Sequence, residues 1–322
     1  MTESGTTGTP LAFPYLREGS FVLSGYRGVD IWFAPIPLND YGGIAQRFRE
    51  LDLTGSSGKN YRRQDVVDWH RLMGRTIQEM DHNKHMVSTH VSGNYHNQNV
   101  DIISLDEMSL CPVDAYHHSE DPVQIVQLLK ETAEFNAKYG KPVVVTEFGG
   151  TPYAQSLRHL DASLHAALWA SACIPLGSAP MFWWWQLIEE ENFYPKFEAF
   201  SRYMAGEDRR DPELQISVPE IRTRDTMEDG IDIQCLKNKT RAFGWIYVSD
   251  NFEETDPAGP QVCTNVTVRL DNMSAGSFEI EYWDTISGKP SSKESAASDN
   301  GSLLLKVPPF ARDTAFKVKP SR

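Results

Sequence analysis

The chain has 322 residues, 40% of them hydrophobic and 23% charged, a composition that folds and that excludes the disordered and collagen-like classes. Its 31 basic residues stand against 44 acidic ones, and the resulting net charge of −13 repels phosphate backbones and anionic lipid surfaces, so nucleic acid is excluded as a partner. No apolar run approaches the roughly 20 residues that span a bilayer, and the opening Met1-Thr2-Glu3-Ser4-Gly5 has neither a basic region nor a hydrophobic segment, so no membrane helix or export signal is expected and localisation stays open.

At roughly 100 to 200 residues per domain the length implies two domains. Residues 1–44 form a poorly defined N-terminal segment with two short strand-like runs, Phe21-Val22-Leu23 and Asp30-Ile31-Trp32-Phe33. From about residue 64 to 205 helical and strand patterns alternate, the grammar of an α/β domain, which is assigned residues 45–210. Asp65 opens a helix whose Trp69, Leu72, Met73, Thr76, Ile77 and Met80 fall on one stripe. His85 to Thr89 reads as a strand. Asp121 caps a second helix with Pro122 at its first position; it buries Ile125, Leu128, Leu129, Thr132 and Phe135 and stops at Gly140. The β-branched run Val143-Val144-Val145-Thr146 is what a parallel strand covered on both faces requires. A helix over about Ser156 to Cys173, with Leu157, Leu160, Leu164 and Leu168 inward, leads to a strand from Pro180 to Trp185, and Tyr194 to Tyr203 reads as the last helix.

The polar stretch from Ala205 to Pro212 reads as an interdomain linker or exposed connection. Beyond it the period changes to two: Phe243, Trp245 and Tyr247, then Phe278, Ile280 and Tyr282, alternate with smaller or charged residues. Turn signals at Asp271-Asn272, Ser287-Gly288 and Asn300-Gly301 complete the pattern of a small antiparallel β-sandwich over residues 211–322, with those six residues in its core. Cys235 and Cys263 lie in strands of this region and could pair, although buried free thiols suit Cys111, Cys173, Cys235 and Cys263 better.

Catalytic groups of α/β barrels sit at the C-terminal ends of parallel strands, where the following loops form the concave face. Glu147 occupies such a position, and Trp183, Trp184 and Trp185 crowd the end of the next strand, with alternation sending some of these rings to opposite sides. Aromatic faces in a cleft suit sugar rings. A P-loop, a G-x-S-x-G elbow, H-E-x-x-H and Cys/His zinc spacings are all missing from the sequence, which removes phosphate-cradling, serine-hydrolase and zinc chemistry from consideration; no metal and no cofactor is expected.

The segment from Lys141 through Val145, Thr146-Glu147-Phe148-Gly149, followed by Met181-Phe182-Trp183-Trp184-Trp185, resembles the last two barrel strands of the family-five, cellulase-type glycoside hydrolases. The resemblance implies that Glu147 is the nucleophile and that Trp185, with Trp184 as the near alternative, stacks on the sugar. Phe48-Arg49-Glu50-Leu51 is similar to the family's Asn-Glu segment, which makes Glu50 the counterpart of the general acid/base. Asp114-Ala115-Tyr116-His117 is similar to the sixth strand end, which carries over Tyr116. Two positions depart from the family pattern: Arg49 stands where the family has the Asn that holds the sugar's 2-hydroxyl, and Asp114 stands where His is usual. Glu50 also reads as an ordinary charged helix face, within Gln46-Arg47-Phe48-Arg49-Glu50.

The fold this implies is α/β, a (β/α)8-type barrel followed by the sandwich. Only 47 residues precede Phe48, too few for three strand-helix units, so the barrel is expected to be incomplete at its N-terminal side. The implied function is cleavage of β-linked glycosides in an oligo- or polysaccharide by a retaining double displacement, which needs the Glu147 and Glu50 carboxyls roughly 5 to 5.5 Å apart. The competing reading is an inactive carbohydrate-binding or structural remnant. Neither the sugar nor the oligomeric state is legible.

Overall fold

The computed structural model describes residues 22–26, 28–32, 64–89, 100–117, 119–150, 156–223, 230–252, 259–298 and 300–321. Strands β1 (Val22–Tyr26) and β2 (Gly28–Trp32) pair antiparallel, so the two strand-like runs at the N-terminal side form a hairpin with each other. Two compact units follow from the contacts of the chain. The first holds residues 1–113 and 136–142, the second 114–135 and 143–322.

In the first unit, helix α1 (Gln64–Met80) buries Val67, His70, Met73 and Ile77. With Val87, Ile102 from the short α2 (Val100–Ile103), Leu105 and Met108, Val67 and Ile77 form one small core. The buried stripe is rotated from the expected one: Leu72 and Met80 are exposed. No strand forms at His85–Thr89. Val87 instead exchanges bonds with Ser109, whose amide donates to the Val87 carbonyl (2.6 Å) and whose hydroxyl accepts from the Val87 amide (3.1 Å); a side chain here takes the place of a ladder partner. Strand β3 (Cys111–Ala115), buried throughout, runs from the first unit into the second.

In the second unit, Asp121 accepts from the Val123 amide (2.9 Å) ahead of helix α3 (Gln124–Asn136), which buries Ile125, Leu128, Leu129 and Thr132 and leaves Phe135 exposed. Strand β4 (Val143–Phe148) follows. Helix α4 (Leu157–Ser171) starts where Ser156 accepts from the His159 amide at 3.1 Å, and every residue but Leu157, Arg158 and Asp161 is buried, as an apolar helix covered all round must be. The chain then returns beside β4: the Met181 amide donates to Val145, the Phe148 amide to Met181 and the Trp183 amide to Phe148, a parallel arrangement with Phe148 opposite Phe182. The strand expected from Pro180 to Trp185 is reduced to this single bridge, because Trp185 already opens helix α5 (Trp185–Glu190); α6 (Tyr194–Met204) comes next.

The remaining nine strands, all antiparallel in their pairings, make up two sheets. Introduced in chain order, they are β5 (Gln215–Ser217), β6 (Glu220–Arg222), β7 (Ile231–Lys237), β8 (Ala242–Val248), β9 (Thr267–Asp271), β10 (Gly276–Asp284), β11 (Lys289–Ser298), β12 (Ser302–Lys306) and β13 (Asp313–Pro320), with β11 at one edge. The larger sheet has the order β11-β10-β13-β8-β7-β5, the smaller β12-β9-β6. Val268, Leu270, Leu303 and Leu305 of the smaller sheet share one core with Ile246, Val248, Phe278, Ile280, Tyr282, Phe316 and Val318 of the larger.

The expected six-residue core is divided. All six residues are buried, but Phe243, Trp245 and Tyr247 point to the other face of β8, which is therefore covered on both sides rather than half-exposed. That face is closed by the helices: the Tyr203 hydroxyl of α6 donates to the Phe316 carbonyl (2.8 Å), and the Cys173 thiol just after α4 donates to the Phe243 carbonyl (3.6 Å). The 205–212 stretch is likewise tied down. Arg209 donates to the carbonyls of Ser171, Ile174 and Leu176 at the end of α4, and Glu207 holds the buried Lys317 of β13 at 2.9 Å. All four cysteines are free and buried, and burial pushes the Cys111 thiol up to about 11 and Cys173 to about 12.

Gly244 of β8 lies flat under the Phe316 ring, and a Cβ there would overlap it. Gly244→Ala should therefore lower unfolding stability by about 2 to 3 kcal/mol, the upper range for overpacking a filled core. Adding Phe316→Leu should recover part of the loss in a urea titration, and equal stability of Gly244→Ala and parent would contradict the close fit.

Candidate functional site

Glu147 sits one residue before the end of β4. Its predecessors Val143 and Val145 and its neighbour Phe148 are buried, so the strand is anchored by its apolar residues while the carboxylate remains half-exposed. By the pleat Glu147 shares the face of Val143 and Val145, so its partial exposure comes from its place at the strand end, where that face opens. Tyr116 lies just past β3 and donates its hydroxyl hydrogen to Glu147 Oε2 at 3.1 Å. Burial raises the phenol pKa well above its ordinary value, and the adjacent carboxylates of Glu147 and Asp114 raise it further. The phenol therefore remains a donor at every working pH, and a donor to a carboxylate favours its charged form. Asp114 is buried at the end of β3.

The three tryptophans separate by exposure. Trp183 and Trp185 are 44% and 65% exposed, whereas Trp184 is half-buried and donates its indole hydrogen to the Gly149 carbonyl at 2.8 Å. Phe182 packs on Phe148, ring centres 5.3 Å apart, on the buried side of the same segment. The alternation expected along this run thus holds from Met181 to Trp183. It then gives way to the helical turn that begins at Trp185.

The sequence brings Glu147, Tyr116 and Asp114 into one neighbourhood, and Trp184 reaches the same strand end through Gly149. Trp185 is carried on α5 rather than on the strand. Trp183, which the resemblance did not single out, is left exposed, and its alternation with the buried Phe182 is the signal that finds it. Glu50 and Arg49 lie outside the described residues. Among the described residues no group of three or more His, Cys, Asp or Glu side chains is disposed to hold a metal, and no helix is long and apolar enough to cross a membrane.

With this geometry in place, the fold can be compared with solved structures. The chain is similar to a glycoside hydrolase family 5 protein from Bacteroides vulgatus, with a TM-score of 0.52 and 11% identity over 80% of this chain and 60% of that one. A GH30 endoxylanase from Clostridium papyrosolvens matches at a TM-score of 0.46 and 14% identity, over 80% of this chain and 60% of that one. A bifunctional glucanase-xylanase from a metagenome library matches at 0.44 and 9%, with the same coverage. The structural neighbours are glycoside hydrolases, and the likeness to the family 5 protein is one of fold. The chain spans about 60% of the length of each of these three. No family model matches it, and no curated protein matches it.

Proposed function

We propose that the chain is a glycoside hydrolase that cleaves β-linked glycosides with retention of configuration, built as a (β/α) barrel followed by a β-sandwich formed by the two antiparallel sheets. The observation that carries the reading is the Tyr116-to-Glu147 hydrogen bond at the C-terminal end of β4, beside the exposed rings of Trp183 and Trp185. In this mechanism Glu147 attacks the anomeric carbon and forms a glycosyl ester. Glu50 gives its proton to the departing oxygen and then takes one from the water that opens the ester. Tyr116 keeps one Glu147 oxygen hydrogen-bonded and so orients the carboxylate. An exposed indole supplies a flat apolar face for the C–H side of a pyranose ring.

Hydrolysis of β-linked polysaccharides and aryl β-glycosides, followed by proton NMR in the first minutes, tests both activity and stereochemistry. The β-anomer should appear first and then mutarotate. Initial release of the α-anomer would replace double displacement by direct water attack, and no release from any β-glycoside would favour the inactive carbohydrate-binding reading suggested by Arg49.

A further inference from the structure

Trp184 differs from its two neighbours in what its polar atom does. The indole N–H is spent on the Gly149 carbonyl, two residues beyond Glu147. Gly149 has φ +141°, a conformation closed to residues with a Cβ, and a Cβ built there would stand 2.8 Å from Trp184 Cδ1 and 3.1 Å from the Phe182 ring. Backbone and ring are thus fitted to each other at the point where β4 turns away. Upstream, the same strand is stitched to residues 181–183 by three backbone bonds, the last from the Trp183 amide to the Phe148 carbonyl at 2.7 Å. The Trp184 bond extends that ladder by one step with a side chain, just where the backbone pairing ends.

From this juxtaposition we propose that Trp184 is a positioning residue: its bond to Gly149 fixes the end of β4 and thereby holds the Glu147 carboxylate in register with the Tyr116 hydroxyl. It is not the sugar platform; that role falls to Trp183 or Trp185, whose faces are open. The inference rests on the assignment of Glu147 as nucleophile. A carboxylate displaced by a fraction of an ångström attacks less often without binding sugar less well, so the effect of losing the clamp falls on kcat.

Trp184→Phe keeps an aromatic ring and removes the N–H donor together with part of the ring that carries it. On an aryl β-glycoside it should lower kcat by about tenfold while KM stays within about twofold. The acidic limb of kcat/KM should move to higher pH, because a carboxylate less well bonded by Tyr116 is less stabilised in its charged form. A merely structural role would lower the melting temperature and leave that limb in place. A sugar platform would raise KM, as Trp183→Ala or Trp185→Ala should. Unchanged kcat and pH profile in Trp184→Phe, or a rise confined to KM, would overturn the proposal while leaving the Glu147 assignment intact. Full activity of Glu147→Gln would instead overturn the assignment itself and the clamp with it.

Discussion

Glu147→Gln should reduce turnover by at least about a thousandfold while the protein stays folded and continues to bind sugar, because the change is nearly isosteric and removes only the attacking charge. The amide oxygen can still accept from Tyr116, so the local hydrogen bond at Oε2 has a replacement and the unfolding midpoint should hardly move. A smaller variant supplies the sharper signature. With Glu147→Gly, azide can occupy the vacated space and attack the anomeric carbon of a substrate with a good leaving group, on the face opposite that group. The N–C bond forms as the C–O bond breaks, no proton is needed, and the glycosyl azide has inverted configuration. Rescue of an acid/base variant gives the retained azide instead, since there the anion attacks the glycosyl ester. Parental turnover in Glu147→Gln would sink the nucleophile assignment, and a retained azide from Glu147→Gly would exchange the two carboxylate roles.

What the sequence revealed and what it hid follow from the range of the forces involved. Helices α1, α3, α4 and α6 were legible because their apolar period is a local property, and β4 because a run of three valines has few other homes. Glu147 was legible for the same reason, by its place at the end of that run. The rotation of the α1 stripe was not, since Leu72 and Met73 look equally apolar and only the packing of the folded chain decides which turns inward. Strand β8 shows the limit most clearly. Its alternation of large and small residues reads as one buried face and one wet face, yet the large residues lie under helices and Ala242, Ile246 and Val248 face the second sheet. Nothing within seven residues reports that a helix from elsewhere covers a strand. The interaction of Trp184 with Gly149 belongs to the same class, because it depends on a backbone angle 35 residues away.

Acid should destabilise the second unit through His165, and the sign is fixed by its surroundings. The ring lies on α4, fully buried, with Nε2 2.7 Å from Asp313 Oδ2. Asp313 also accepts from the Trp245 indole (2.8 Å) and from Arg312 Nε (3.0 Å). Burial, aided by the positive charges of Arg312 and Lys196, outweighs the attraction of Asp313 and depresses the His165 pKa from 6.5 to about 4. Burial alone would raise the Asp313 carboxyl, but the neighbouring His165, Arg312 and Trp245 overcome it and hold the group below the usual carboxylate range. At neutral pH the pair is therefore a neutral imidazole donating to a carboxylate whose countercharge is Arg312. A folded pKa below the unfolded one means that the unfolded chain takes up the proton first. Stability is then complete above pH 6.5 and falls as pH drops from 6.5 toward 4, at about 1.4 kcal/mol per pH unit, or about 3 kcal/mol across the window. Asp313 continues the loss at lower pH, once the unfolded carboxyl begins to protonate. His165→Gln can keep a donor to Asp313 but cannot titrate. Its stability, read from urea unfolding between pH 4 and 8, should fall less steeply than the parent's below pH 6.5, and the two curves should converge toward pH 4. Parallel curves over that whole range would show that His165 is not the group responsible.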